Sequence, residues 1–241
     1  MLKIPIMRPK LPSADRILRY LRAVDASRIY SNFGPLALSL EERLAKHFGV
    51  RREMITTTAN ATQGLTLALT TLGVQPGTLC VMPAWTFIAS AHAAISAGLI
   101  PYFVDVDPHT WALDPGTMDE VIACAPAAVG AIMPVVPFGQ PINFVAWDRY
   151  RTRTKVPVVI DAAAGFDVNE AERALAAAGV ETRRWWGQGA HLHPSTTAFP
   201  RSALNVTETL AKSTLSVPFY RDVDPAAIEK VAGVVRALVS A

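Results

Sequence analysis

Four short runs constrain the fold more than any other feature of the chain. Residues 79–82, 100–104, 129–136 and 156–160 are almost wholly apolar, and helical or turn-rich stretches separate them. A strand that is apolar on both sides cannot leave either face in water. Such runs call for a parallel sheet covered by helices on both faces, with right-handed crossovers. Between the first two runs, residues 87–97 are small and apolar and end at Gly98, which reads as a helix with its stop. Upstream, residues 13–26 and 36–48 have helical spacing, and Gly49 closes the second. Residues 54–58 are short and β-prone, and they lead through Ala59-Asn60-Ala61-Thr62 into a helix ending at Leu72 before Gly73.

After Asp167 the character changes. Residues 170–178 form an Ala-rich helical stretch, residues 180–186 alternate like a half-exposed strand, and a looser segment with His and Pro runs to about residue 203. Residues 206–212, a short strand at 215–217 and a final helix from Asp224 complete a smaller unit. The expected organisation is a large domain over residues 1–167 and a small C-terminal α+β domain over residues 168–241.

The remaining bulk features exclude several classes. Half of the 241 residues are hydrophobic (51%) and only 18% are charged, which suits a packed core rather than a disordered chain. The net charge is +3, and its densest clusters are Arg51-Arg52 and residues 149–155, with Tyr150 the one aromatic among them, too little for a nucleic-acid patch. They read as solvated helix ends. Residues 79–104 hold no Asp, Glu, Lys or Arg, but Pro83, Gly98 and Pro101 break them and His92 lies inside, so no membrane span is expected. Cys80 and Cys124 make neither a disulfide framework nor a zinc spacing, and no apolar leader is visible near Lys3, Arg8 and Lys10. A reducing cytoplasm fits best.

Ligands of open parallel sheets bind beyond the carboxyl ends of the strands, and three features gather there. The helix starting near Asn60-Ala61-Thr62-Gln63 exposes unpaired N–H groups that suit a phosphate, or it is an ordinary capped helix. Trp85, just past residues 79–82, could stack on a flat ring or pack in the core. Asp161, ending residues 156–160, could face a protonated ring nitrogen or cap the next turn. Two further groups, Asp105/Asp107/Asp114 and His191/His193, have metal-ligand chemistry, but neither is read as a metal site.

Ordered motifs narrow these alternatives. Asn32-Phe33-Gly34-Pro35 with Leu40-Glu41, Ala59-Asn60-Ala61-Thr62, Pro83-Ala84-Trp85-Thr86-Phe87, Phe103-Val104-Asp105-Val106-Asp107-Pro108, Leu113-Asp114-Pro115, Phe138-Gly139-Gln140-Pro141 and Asp161-Ala162-Ala163-Ala164-Gly165-Phe166 follow one another. The set resembles DegT/StrS-type sugar aminotransferases over residues 30–167. Gly179-Val180-Glu181-Thr182-Arg183 and Leu215-Ser216-Val217-Pro218 resemble that family's small C-terminal domain. The resemblance implies an α/β, fold-type-I PLP-transferase architecture with a mostly parallel sheet. It implies pyridoxal 5'-phosphate (PLP) as cofactor, glutamate and a nucleotide-linked keto sugar as substrates, and a homodimer. By position it puts Ala61, Thr62 and Gln63 at the cofactor phosphate, Trp85 against the ring and Asp161 at the pyridine nitrogen. Ala164 stands where many relatives have a Gln near the phenolic oxygen.

One departure outweighs these matches. In the family, further strands follow the Asp strand, and one delivers the Schiff-base lysine. Here Phe166-Asp167 runs directly into Val168-Asn169-Glu170 and the small domain, so the large domain is truncated and no catalytic residue is assigned. Lys155 precedes the strand ending at Asp161 and so lies roughly 20 Å from it, at the opposite end of the sheet. Lys212 falls in small-domain surroundings, and Lys46 and Lys230 in surface helices. The expectation is an aminotransferase homologue that does not complete amino transfer alone. A non-catalytic cofactor or nucleotide-sugar binding protein, or a deletion product without independent function, stays open beside it.

Overall fold

The computed structural model describes residues 11–164, 186–214, 224–226, 228, 229 and 232. Contacts divide the chain into two compact units, Pro9–Asn60 and a larger one from Ala61 onward that also takes in Met1–Arg8. The expected boundary at residues 167–168 lies outside the described residues, as do the helix at 170–178 and the strand at 215–217.

In the smaller unit, helices α1 (Ala14–Ser27) and α2 (Pro35–Phe48) are each fourteen residues long. Pro35 occupies the first turn of α2, where its missing N–H costs nothing, and Gly49 ends the helix in the left-handed region at φ 64°. Glu41 is fully buried, and three donors hold its carboxylate: Arg52 Nη2 at 2.7 Å, Thr57 N–H at 3.0 Å and Thr57 Oγ1 at 3.1 Å. Residues 54–58, read as β-prone, form no strand: Met54 ends a 3-10 turn from Arg52, and residues 55–58 pair with no strand among the described residues. A β-prone sequence becomes a strand only where a neighbouring strand accepts its ladder.

The larger unit is built on β1 (Leu79–Pro83), β2 (Ile100–Val104) and β3 (Val129–Ile132) in the order β2-β1-β3, all parallel. Parallel bridges extend the sheet on both sides, from Phe103 to Arg201 beyond β2, and from Ile132 to Val158 and Val135 to Asp161 beyond β3. Residues 156–160, expected as a strand, therefore contribute bridges rather than a full ladder. Their backbone bonds to Ile132 and Pro134 use Pro157, Val159 and Asp161. Among the described residues, Val158 and Ile160 form no backbone hydrogen bond, and their side chains pack partly buried against the sheet.

Alternation along the strands splits the core between the two faces. Cys80, Met82 and Phe103 pack with Leu69, Ala91 and Ala94, which come from α3 (Ala61–Thr71) and α4 (Ile88–Ser96). Val81, Tyr102 and Val104 pack with Met118 of α5 (Met118–Ala123), Trp147 and Tyr150 of α6 (Phe144–Thr154) and Leu210 of α7 (Asn205–Ser213). Gly130 in β3 has no room for a side chain, because a Cβ there would overlap Thr78 and Val74. Among the described residues, no helix is long and apolar enough to cross a membrane.

Candidate functional site

The carboxyl end of β1, the start of α3, the start of α4 and the extended chain at residues 133–136 and 161 enclose a cleft of about 310 Å³. Asp161 sits in it, 7% exposed, held by its bridge to Val135. Its Oδ2 accepts a 2.6 Å hydrogen bond from Ser90 Oγ, and its Oδ1 a 3.2 Å bond from Ala163 N–H. Ser90 is one turn beyond Thr86, and the two hydroxyl oxygens are 2.8 Å apart. Ser90 has a single proton and gives it to Asp161, so Thr86 is the donor between the hydroxyls. Together they form a buried relay, Thr86 to Ser90 to Asp161. A carboxylate offers about four acceptor sites, so capacity remains on Asp161 toward the cleft.

The other walls differ in character. Ala61 and Thr62 line one side at the first turn of α3, where backbone N–H groups lack helical partners and favour an anion. Phe87 lines another and is 54% exposed. Trp186 closes the rim, stacked on Phe138 with ring centroids 4.2 Å apart and planes 17° from parallel. The arrangement joins an anion-favouring helix start, an exposed flat aromatic and a buried carboxylate in one cleft. A planar, cationic heteroaromatic ring carrying a phosphate matches all three.

The sequence-derived site residues separate into two groups. Ala61, Thr62, Asp161 and Ala164 come together on the cleft. Gln63 is exposed and is not on the cleft wall. Trp85 points into the core on the Val81 and Tyr102 face, 2% exposed, with its Nε1 buried and without a hydrogen-bond partner among the described residues. It meets Trp186 edge-on at 5.5 Å. Phe87, two residues later, is the exposed aromatic. Sequence reasoning also passed over Ser90 and Thr86, although their i, i+4 spacing at the end of β1 marks two hydroxyls on one side of a helix start.

Among the described residues, no lysine lines the cleft. Lys155 caps the C-terminus of α6 at φ 63°, while Lys46 and Lys212 sit in the last turns of α2 and α7. Lys230 lies outside the described residues. The acidic group resolves into separate bonding roles. Asp107 binds the N–H groups of His109 and Thr110, and the Thr110 bonds hold its carboxyl below the usual range. Asp114 accepts from Gly116 N–H. Asp105 accepts from Val206 N–H, Thr207 N–H and Thr207 Oγ1 at 2.7–2.8 Å, capping α7 across a hundred residues of sequence. Burial pushes the Cys80 thiol up to about 12, which makes it inert at neutral pH.

The profile of the DegT/DnrJ/EryC1/StrS aminotransferase family matches residues 13–173. The chain is similar to the UDP-2-acetamido-2-deoxy-3-oxo-D-glucuronate aminotransferase of Pseudomonas aeruginosa, 35% identical over 133 residues, which are 55% of this chain and 36% of that protein. The chain spans less than half the length of the curated relatives it matches. In structure it is similar to DesI, solved in the presence of its TDP-sugar product, with a TM-score of 0.79 and 20% identity over 98% of this chain and 92% of that one. It is also similar to NtdA from Bacillus subtilis with bound cofactor PMP, with a TM-score of 0.57 and 27% identity over 69% of this chain and 38% of that one.

Proposed function

Because the chain belongs to the DegT/DnrJ/EryC1/StrS aminotransferase family and has the α/β architecture of fold-type-I PLP enzymes, we propose that its cleft binds PLP or its amino form, pyridoxamine 5'-phosphate, reversibly. The observation that carries this reading is the buried Asp161 carboxylate in a cleft that also holds the start of α3 and an exposed Phe87. Asp161 would hold the proton on the pyridine nitrogen, and the Ser90 and Thr86 hydroxyls would keep the carboxylate oriented. The N–H groups at Ala61 and Thr62 would hold the phosphate, and Phe87 and Trp186 would flank the ring and exclude water. When bound, the cofactor supplies an electron sink at the carbon that carries the amino group. Ala164 offers no hydrogen bond to the phenolic oxygen.

The reading extends to a nucleotide-linked keto sugar and glutamate as the substrate class, as in amino-sugar biosynthesis. With no lysine on the cleft, the chain binds these ligands and does not complete amino transfer by itself. Self-association as a dimer is part of the same reading. The division into domains at residues 167–168 and a reducing, cytoplasmic setting for the two free cysteines belong to the same proposal.

The test is a titration with pyridoxamine 5'-phosphate, followed by quenching of tryptophan fluorescence. Saturable binding is expected, weakened about tenfold or more in Asp161→Ala, because that variant removes a charge-assisted bond. Absence of binding up to about 1 mM, or equal affinity in Asp161→Ala and Phe87→Ala, would overturn the proposal.

A further inference from the structure

Away from the cleft, two imidazoles converge on one hydroxyl. His92 Nε2, from α4, lies 2.9 Å from Ser195 Oγ, and His193 Nδ1 lies 2.8 Å from the same oxygen. The rings stand edge to face with centroids 6.0 Å apart. His92 and Ser195 are 103 positions apart in sequence, so the cluster forms only when residues 193–195 dock against α4. Neither histidine is on the cleft wall.

A hydroxyl has one proton and cannot donate to both rings. If Ser195 donates to one imidazole, the other must donate to it. The Ser195 backbone N–H also donates to His193 Nδ1 at 3.3 Å, so that nitrogen is the acceptor and His92 Nε2–H donates to Oγ. A divalent cation that prefers imidazole would remove this constraint, because both neutral rings could then direct a lone pair at the same ion. Metal–nitrogen bonds of about 2.0–2.1 Å would put the ion close to the present Oγ position, so Ser195 must turn its hydroxyl aside and each ring move inward by less than an ångström. The side chains of residues 193 and 195 are exposed, although backbone bonds to Ala190 and Thr196 hold His193, and His92 is half-buried on α4.

We propose that His92 and His193 form a binding site for an imidazole-preferring divalent transition metal, with water completing the coordination once the Ser195 hydroxyl has turned aside. No third His, Cys, Asp or Glu joins them among the described residues, which makes the site open and its affinity moderate. Its preference follows the order of imidazole complexes, copper above nickel and zinc, with magnesium and calcium excluded by their demand for oxygen ligands. A bound ion would tie α4 to residues 193–195 and so stabilise the folded chain in proportion to its occupancy.

The experiment uses the untagged full chain, titrated by calorimetry with copper(II), nickel(II), zinc(II) and magnesium(II) chlorides, with thermal melts at each ratio. The expected result is one saturable equivalent of copper, weaker nickel and zinc, no magnesium, and a metal-dependent rise in Tm. His92→Gln and His193→Gln should each weaken copper roughly tenfold or more, since losing a direct ligand costs at least as much as losing an outer partner. His109→Gln, at an exposed position elsewhere, should bind as the parent does. Paramagnetic resonance of the copper form should show coupling to two nitrogens. Circular dichroism guards against a folding defect in these variants. No saturable binding below about 1 mM, or parent-like binding by both His92→Gln and His193→Gln, overturns the proposal.

Discussion

Ser90 Oγ donates a 2.6 Å hydrogen bond to Asp161 Oδ2 across 71 residues of sequence, behind the wall of the cleft. This bond joins α4 to the chain beyond β3, and it fixes the one carboxylate of the cleft. Hydrogen bonds to charged groups contribute about 1.5–3 kcal/mol, and a buried acceptor left short of donors costs a similar amount.

Ser90→Ala should therefore lower unfolding stability by about 2 kcal/mol without changing the urea m-value, since the exposed surface stays the same. It should also weaken pyridoxamine 5'-phosphate less than Asp161→Ala does, because it reorients the carboxylate without removing it. Urea titrations of both variants check the first claim and ligand titrations the second. An unchanged midpoint would mean that Thr86 or water takes over the bond.

The sheet was legible because its determinants are local. Residues 79–82 and 100–104 alternate between two buried faces, and Gly49, Gly73 and Gly98 adopt the left-handed conformation that ends a helix. Asp107 and Asp114 stand in turns for the same local reason. The failures were non-local. Whether Trp85 or Phe87 faces the cleft depends on which side of the chain turns toward the core after β1, and both aromatics satisfy the sequence pattern. Residues 55–58 carry strand propensity without a strand beside them. Nothing near Asp105 announces that its carboxylate caps a helix beginning at Asn205. Ser90 appeared as one small residue among many, and only the approach of Asp161 gives it a role.

Asp105 makes a second prediction. Its three bonds to Val206 and Thr207 satisfy N–H groups at the start of α7 that have no helical partner. The helix lacks a side-chain cap from its own N-cap residue, Leu204. Asp105→Ala should cost about 2 kcal/mol or more, the upper range for a lost cap, and Asp105→Asn should recover part of this by accepting one bond. Limited proteolysis should cut near residues 199–214 faster in Asp105→Ala. Equal digestion rates in parent and variant would show that the bridge at Arg201 and the apolar contacts of Leu210 hold α7 alone.

His191 links stability to pH. Its ring is 1% exposed and neither nitrogen has a hydrogen-bond partner among the described residues. Burial lowers its pKa from 6.5, and the Arg201 charge lowers it further, while Glu208 and Asp105 oppose the shift. In the unfolded chain the imidazole takes up a proton near pH 6.5, which the buried ring resists. Below that pH the unfolded state binds more protons, so this group's contribution to stability is present above about pH 6.5 and is lost as the pH falls. The difference between the parent and His191→Leu in urea midpoint should thus grow from pH 8 to pH 5, with the leucine variant gaining relative stability in acid. A constant difference across that range would show that the ring stays uncharged in both states or finds a partner when protonated.

The last prediction concerns turnover. A positioned acid–base group typically contributes about 10²–10⁴-fold to rate, and a lysine that bonds covalently to the cofactor opens a route that no other residue on this cleft offers. Asp161 can hold a proton on a ring nitrogen, and Thr86 and Ser90 can orient it, but all three lie in the buried relay and none is a free base. With PLP, glutamate and a nucleotide-linked keto sugar, the chain alone should form no amino sugar above the rate in free solution. With pyridoxamine 5'-phosphate it should yield at most one equivalent, because the amino group arrives with the cofactor and nothing on the cleft restores it. Borohydride treatment in the presence of PLP should label exposed lysines without singling out one near the cleft. Mass spectrometry of the products and of the digested protein decides both points. Many turnovers, abolished by Asp161→Ala, would show that a base outside the described residues reaches the cofactor and that this chain is an active transferase.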